Sequence, residues 1–171
     1  GALTGGLSEG AGLYGAMRNG LTLNEAAIIQ KESKYPLDVI KRFKNMEQYN
    51  ICKEAGLTTK MVNGKAALIR DIDLNYVSEL GGEKVTNLQR MKLGYSALEP
   101  ATGLPYELHH IGQKVDSTLA ILTKAEHMKG GNDLIWHDLS KATEVHANGN
   151  SWLAQRSEFW KAMAEFLSGG L

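Results

Sequence analysis

LPYELHHIGQKVDSTLAILTKAEH, residues 104–127, is the stretch whose reading decides the fold. Leu104 to Ile111 reads as a strand, and Ser117 to Leu122 as a second extended run that the intervening turn brings back alongside it. Thr123-Lys-Ala-Glu126 then has the Ser/Thr-x-x-Glu spacing of a capping box. It starts a helix just before His127, which Gly130-Gly131 ends. Adjacent residues of a strand face opposite sides, so His109 and His110 cannot readily share one ion. One can hold a metal while its neighbour stays available as a base. The capped helix presents His127 about one turn after its start.

The five histidines, at 109, 110, 127, 137 and 146, all fall between residues 109 and 146, and none precedes them. Clustered imidazoles are what a metal site needs, because neutral histidine nitrogen is a common ligand for zinc and its neighbours. Each residue also has a plainer role. A His-His pair is weak evidence by itself. His127 can sit on a helix surface, and His137 can bond a backbone carbonyl. His146 reads as an exposed loop residue outside the site, and Gln113 and Asn132 as polar turn residues. The constellation carries the argument. Strand, strand, helix with the histidine pair on the first strand resembles the ββα-metal arrangement of HNH endonucleases. There the metal stabilises the phosphate and the leaving 3′-oxygen, and the free histidine deprotonates water.

Working outward, Asn87 to Met91 reads as a short helix ending before Gly94, and Pro100-Ala-Thr-Gly103 as a turn. Asp71 to Val77 alternates, as a strand or an irregular stretch does. Upstream, Thr22-Leu23-Asn24-Glu25 is another capping box, opening an apolar segment through Ile29. A second helix is expected after Pro36, with Val39, Ile40 and Phe43 on one face, and a third from Met46 to Glu54 that stops at Gly56. Lys31, Lys34, Lys41, Arg42 and Lys44 read as a solvated face. The first twenty residues hold seven glycines, costly to order, and read as a flexible or loosely helical leader. Trp152, Phe159, Trp160, Met163 and Phe166 or Leu167 fall at helical spacings on a closing amphipathic helix, as core rather than base contacts.

Formal net charge is zero, with 19 basic and 19 acidic residues, which means either that phosphate contacts are few and local or that the ligand is not nucleic acid, and so weighs mildly against a nuclease. Cys52 is the single cysteine, which excludes an intrachain disulfide and a cysteine-based zinc site. There is no apolar run near the length of a spanning helix and no secretory signal. The chain begins at Gly1 without a methionine, as a fragment of a longer protein would.

Thr86-Asn-Leu-Gln-Arg-Met-Lys-Leu-Gly94, Pro105-Tyr-Glu-Leu-His-His-Ile-Gly-Gln113, Leu119-Ala-Ile-Leu-Thr-Lys-Ala-Glu-His127 and Gly131-Asn-Asp-Leu-Ile-Trp-His-Asp138 together resemble the LHH subgroup of the HNH/endonuclease VII superfamily. Glu54-Ala-Gly-Leu57 and Val62-Asn-Gly-Lys-Ala-Ala-Leu-Ile-Arg-Asp-Ile-Asp73 resemble the sequence preceding this domain in CdiA-type toxins of contact-dependent growth inhibition. The resemblance implies an α+β chain: a helical N-terminal region, a ββα-metal nuclease core and a C-terminal amphipathic helix. Residues 1–46 would be a flexible or helical leader for import or linkage, and residues 47–171 the LHH/HNH-type nuclease toxin domain. It implies that His109 binds the metal, with His127 and His137 as further ligands, and that His110 is the general base. Gln113 and Asn132 would orient a ligand or touch substrate. Arg90 would meet a phosphate or form a structural ion pair. Lys114, Lys124 and Lys129 are candidates for a positive cleft. Two departures stand out, Trp136 where the family often has Leu and Tyr95-Ser-Ala97 where it commonly has Ala-Pro; neither removes a catalytic group.

The same resemblance implies one divalent metal, zinc before nickel, cobalt or magnesium, because few carboxylates lie near the motif and magnesium prefers oxygen ligands. It implies a DNA substrate, with RNA as the alternative, and a cognate immunity protein that binds the toxin tightly. The domain would be the C-terminal part of a secreted or cell-surface bacterial protein, acting in the cytoplasm of the target cell without stable membrane insertion. Two other classes compete: a non-catalytic, zinc-stabilised nucleic-acid-binding module and a membrane-active effector. Closed structural zinc sites usually favour cysteine, and no apolar span is present, so the open catalytic site is the better reading.

Overall fold

A computed structural model describes residues 20–112, 118–128, 136 and 149–169, a mixture of helices and strands. The leader up to residue 19 and Gly130-Gly131 lie outside the described residues.

The N-terminal capping box forms as read. Thr22 Oγ1 accepts from the Glu25 amide at 3.1 Å, and Glu25 Oε1 accepts from the Thr22 amide at 3.0 Å. Helix α1 runs Leu23–Ser33, a turn beyond Ile29, and ends where Lys34 turns left-handed (φ 61) two residues before Pro36. Helix α2 is a single turn, Leu37–Ile40. After a short turn Asn45 caps α3 (Met46–Glu54) by accepting from the Gln48 amide at 2.9 Å. Val39, Ile40 and Phe43 are nevertheless all fully buried, Phe43 from the turn beyond the helix.

Two hairpins follow, neither of which the alternation signal had marked. Strands β1 (Thr58–Val62) and β2 (Lys65–Ile69) pair across Asn63-Gly64, with φ 52 and 80. Strands β3 (Val77–Leu80) and β4 (Glu83–Thr86) pair across Gly81-Gly82, with φ 61 and 83. Two-residue loops with positive φ at both positions match the right-handed twist of the flanking strands, and Asn-Gly and Gly-Gly are suited to them. Asp71 to Tyr76 is the irregular alternative. Helix α4 (Asn87–Lys92) opens on a third capping box, Thr86 with Gln89. Asn87 ties the connections on either side: its amide donates to the Asp73 and Leu98 carbonyls and its oxygen accepts from the Leu98 amide.

Strands β5 (Glu107–His110) and β6 (Leu119–Leu122) are antiparallel, with His110 opposite Leu119. They join the first hairpin in a four-stranded sheet of order β1-β2-β6-β5, with β2 and β6 parallel through Leu68 and Ala120. Helix α5 (Lys124–Met128) follows directly, and α6 (Gly149–Leu167) closes the chain.

Both faces of the sheet are covered. Leu68, Ala120, Leu122 and Ile111 pack with Ile29, Val39, Phe43, Tyr49 and Trp136. On the other side Ala67, Ile69, Leu119 and Ile121 pack with Met91, Tyr106, Phe159, Trp160 and Met163. Each large side chain so buried contributes roughly 1.5–3 kcal/mol. The boundary expected at residue 46 falls inside the first of these cores. Phe166, one of two alternatives for the closing stripe, is 39% exposed beneath the Lys60 ammonium, so Leu167 packs in its place. Among the described residues, no helix is long and apolar enough to cross a membrane.

If the first helices belong to the same folding unit as the sheet, Phe43→Ala should lower global stability by about 3–5 kcal/mol in urea unfolding. A separately folding leader would leave the main transition where it was. A second expectation concerns Tyr49. Burial, together with its hydrogen bond to Glu32 Oε1 at 2.9 Å, pushes the phenol up to about 12. A raised folded value gives stability that is whole below the ordinary value of 10.0 and is lost as pH climbs toward about 12. Tyr49→Phe should flatten that alkaline loss in urea midpoints measured across pH, and an unchanged slope would clear Tyr49 of the role.

Candidate functional site

The alternation of β5 sorts the site. Glu107, His109 and the following Ile111 share one side of the strand, while Leu108 and His110 share the other. His109 is buried, its ring centre 4.9 Å from that of His127 and 4.9 Å from that of Trp136. His127 Nδ1 lies 2.6 Å from Glu107 Oε1. A carboxylate behind an imidazole accepts a hydrogen bond from Nδ1–H and so puts the ligating lone pair on Nε2.

The helix that delivers His127 is held at its base. Thr123 Oγ1 accepts from the Glu126 amide and Glu126 Oε1 accepts from the Thr123 amide, so the capping box expected at Thr123 is present. The same Glu126 oxygen takes a 2.6 Å ion pair from Arg70, whose guanidinium lies 5.3 Å from the Tyr106 ring centre. Trp136 donates from its indole to the Glu126 carbonyl at 3.3 Å. Trp136 therefore covers His109 and braces α5 at once, which is how the extra bulk at this position is used.

His110 lies on the opposite side of β5, 3% exposed, its ring centre 4.6 Å from that of Trp152 on α6. The two adjacent histidines thus have separate surroundings.

Two imidazoles 4.9 Å apart suit a shared ion bound at about 2.0–2.1 Å from each nitrogen. They supply two donors. Among the described residues, no group of three or more His, Cys, Asp or Glu side chains is placed to hold a metal. His137, the third expected ligand, lies outside the described residues, as do Gln113, Asn132, Lys114 and Lys129. Lys124 is exposed at the start of α5. Arg90 is half-buried and donates from Nε to the Ser96 carbonyl at 3.0 Å, which closes the loop after α4; burial lowers its affinity for the proton. Its partner is a backbone carbonyl, where an ion pair or a phosphate was expected. Glu107 was missed from the sequence, although its period-two relation to His109 was the available signal.

The carboxylate behind His127 generates a test. Glu107→Gln should weaken zinc uptake about 10- to 100-fold, read by calorimetry, with thermal unfolding of the metal-free chain little changed. Equal affinities in the two proteins would show that the pair serves the fold alone.

No curated protein and no solved structure matches this chain. A family match is found across residues 86–165, from the Thr86 cap of α4 into α6. It supports a nuclease function, and Leu108-His109-His110 falls within it. Residues 86–165 match the LHH family, described as a nuclease of the HNH/ENDO VII superfamily with conserved LHH.

Proposed function

We propose that this chain is a metal-dependent endonuclease toxin, with DNA favoured as substrate. It would be delivered into neighbouring bacteria as the C-terminal part of a secreted or cell-surface protein and neutralised by a cognate immunity protein. The observation that carries the nuclease part is the His109–His127 pair with Glu107 behind it, inside the segment that matches the LHH nuclease family. The sequence upstream of that segment, with its likeness to CdiA-type toxins, supports the delivery part.

On this reading β5, β6 and α5 are the ββα-metal element. His109 and His127 hold the ion, together with His137. A divalent cation there supplies charge stabilisation to the phosphate and the leaving oxygen. Glu107 fixes the His127 ring. His110 takes the proton of the attacking water, the general-base role for which imidazole is the commonest side chain. Strand β5 is the edge of its sheet, so groups on its two sides converge at one rim. A phosphodiester lying across that rim meets His109 from one side and His110 from the other. Lys124, exposed at the start of α5, is the described lysine that would contribute positive charge.

Supercoiled plasmid and total RNA, each incubated with zinc, magnesium or chelator, test the proposal. Metal-dependent nicking of plasmid is expected, with His110→Ala slowing it about 10²–10⁴-fold. Loss of RNA alone would keep the site and reverse the substrate preference. No cleavage of either under any metal would end the nuclease reading.

A further inference from the structure

Helix α6 presents one stripe inward, Trp152, Arg156, Phe159, Trp160 and Met163, at i, i+4, i+7, i+8 and i+11. Phe159, Trp160 and Met163 are buried and Trp152 is half-buried against His110, yet Arg156 in their midst is exposed. By helical spacing Arg156 belongs with the buried stripe, yet its side chain is left open to solvent. Arg156 stands one helical turn, about 5.4 Å, from the tryptophan that covers His110. Among the described residues it takes part in no ion pair; the Glu158 carboxylate, two positions on, is 3.9 Å from Lys161. Lys161 itself belongs to another side of the helix. Its side chain lies with Ser157 over Gly94, where α4 and α6 meet so closely that a Cβ would run into the Ser157 hydroxyl.

We infer that Arg156 is a substrate-binding residue which contacts a phosphate of the nucleic acid on the His110 side of the strand. This rests on the nuclease reading above and extends it to a residue from a separate element. The guanidinium is permanently charged, and its planar fork matches phosphate oxygens in pairs. The position supplies a local cation to a chain with no net charge. Phosphate contacts gathered near the histidines, rather than a broad basic face, are how a neutral nuclease would grip its substrate.

The test is fluorescence anisotropy of the full chain with a short labelled DNA duplex and its RNA counterpart, with chelator present and salt varied. Arg156→Gln should bind the preferred nucleic acid about tenfold more weakly and reduce the slope of log K against log salt by about one. Arg156→Lys should restore that slope. Lys161→Gln, on the α4 side, should bind as the parent does, and urea midpoints of all three variants should stay at the parent value. Wild-type affinity and slope in Arg156→Gln would overturn the assignment while leaving the nuclease reading intact, as would an equal loss in Lys161→Gln. A parent chain that neither binds nor cuts either nucleic acid would overturn both.

Discussion

Strand β6 is bonded on both edges and covered on both faces, and the rest of the structure depends on that double constraint. Its four residues, Leu119 to Leu122, are all buried, two in each core. Every neighbour must therefore be in register before either core can close. The partner β5 lies antiparallel to it and is held so that Glu107 and His109 fall on one side and His110 on the other. A slip of one residue would exchange the two sides and scatter the cluster. The hydrophobic effect that fixes β6 is thus the same force that aims the histidines.

Charge is arranged with similar economy. A short ion pair, Arg70 with Glu126, joins the end of β2 to the helix that carries His127 and is only partly exposed. Pairs as exposed as Lys53 with Glu32 add little to stability, whereas a half-buried one with short geometry contributes more to placement than to energy. Here placement matters, because α5 is a short helix that could not hold its position by packing alone. A capping box, an ion pair, an indole donor and a carboxylate on the histidine itself do that work together.

What was legible in the sequence was local. Two capping boxes, the Met46–Glu54 helix and the histidine-bearing strand follow from rules acting over a few residues, and all formed. The two hairpins also had local signals, Asn63-Gly64 and Gly81-Gly82, but none of their four strands alternates cleanly between apolar and polar residues. Less legible was anything decided at a distance. Nothing within residues 21–43 announces that they cover one face of a sheet whose central strand lies far down the chain. Nor does a short helix after Pro36 reveal that Asn45 will take the chain for the next one. At the site, the opposite facing of His109 and His110 followed from strand geometry alone. The carboxylate on His127 required knowing that β5 and α5 meet.

The parallel pairing of β2 with β6 ties residue 68 to residue 120. Parallel strands need a long crossover, and here the crossover contains the second hairpin, α4 and β5. Loop closure over that distance costs entropy before any contact compensates, so the folding rate should be that of a non-local topology. During synthesis, β2 leaves the ribosome with its inner edge bare and waits for β6. Until then the nascent chain carries a hydrophobic strand edge capable of joining another chain, and the histidine cluster does not yet exist. Assembly of the site and protection of that edge are completed in a single step.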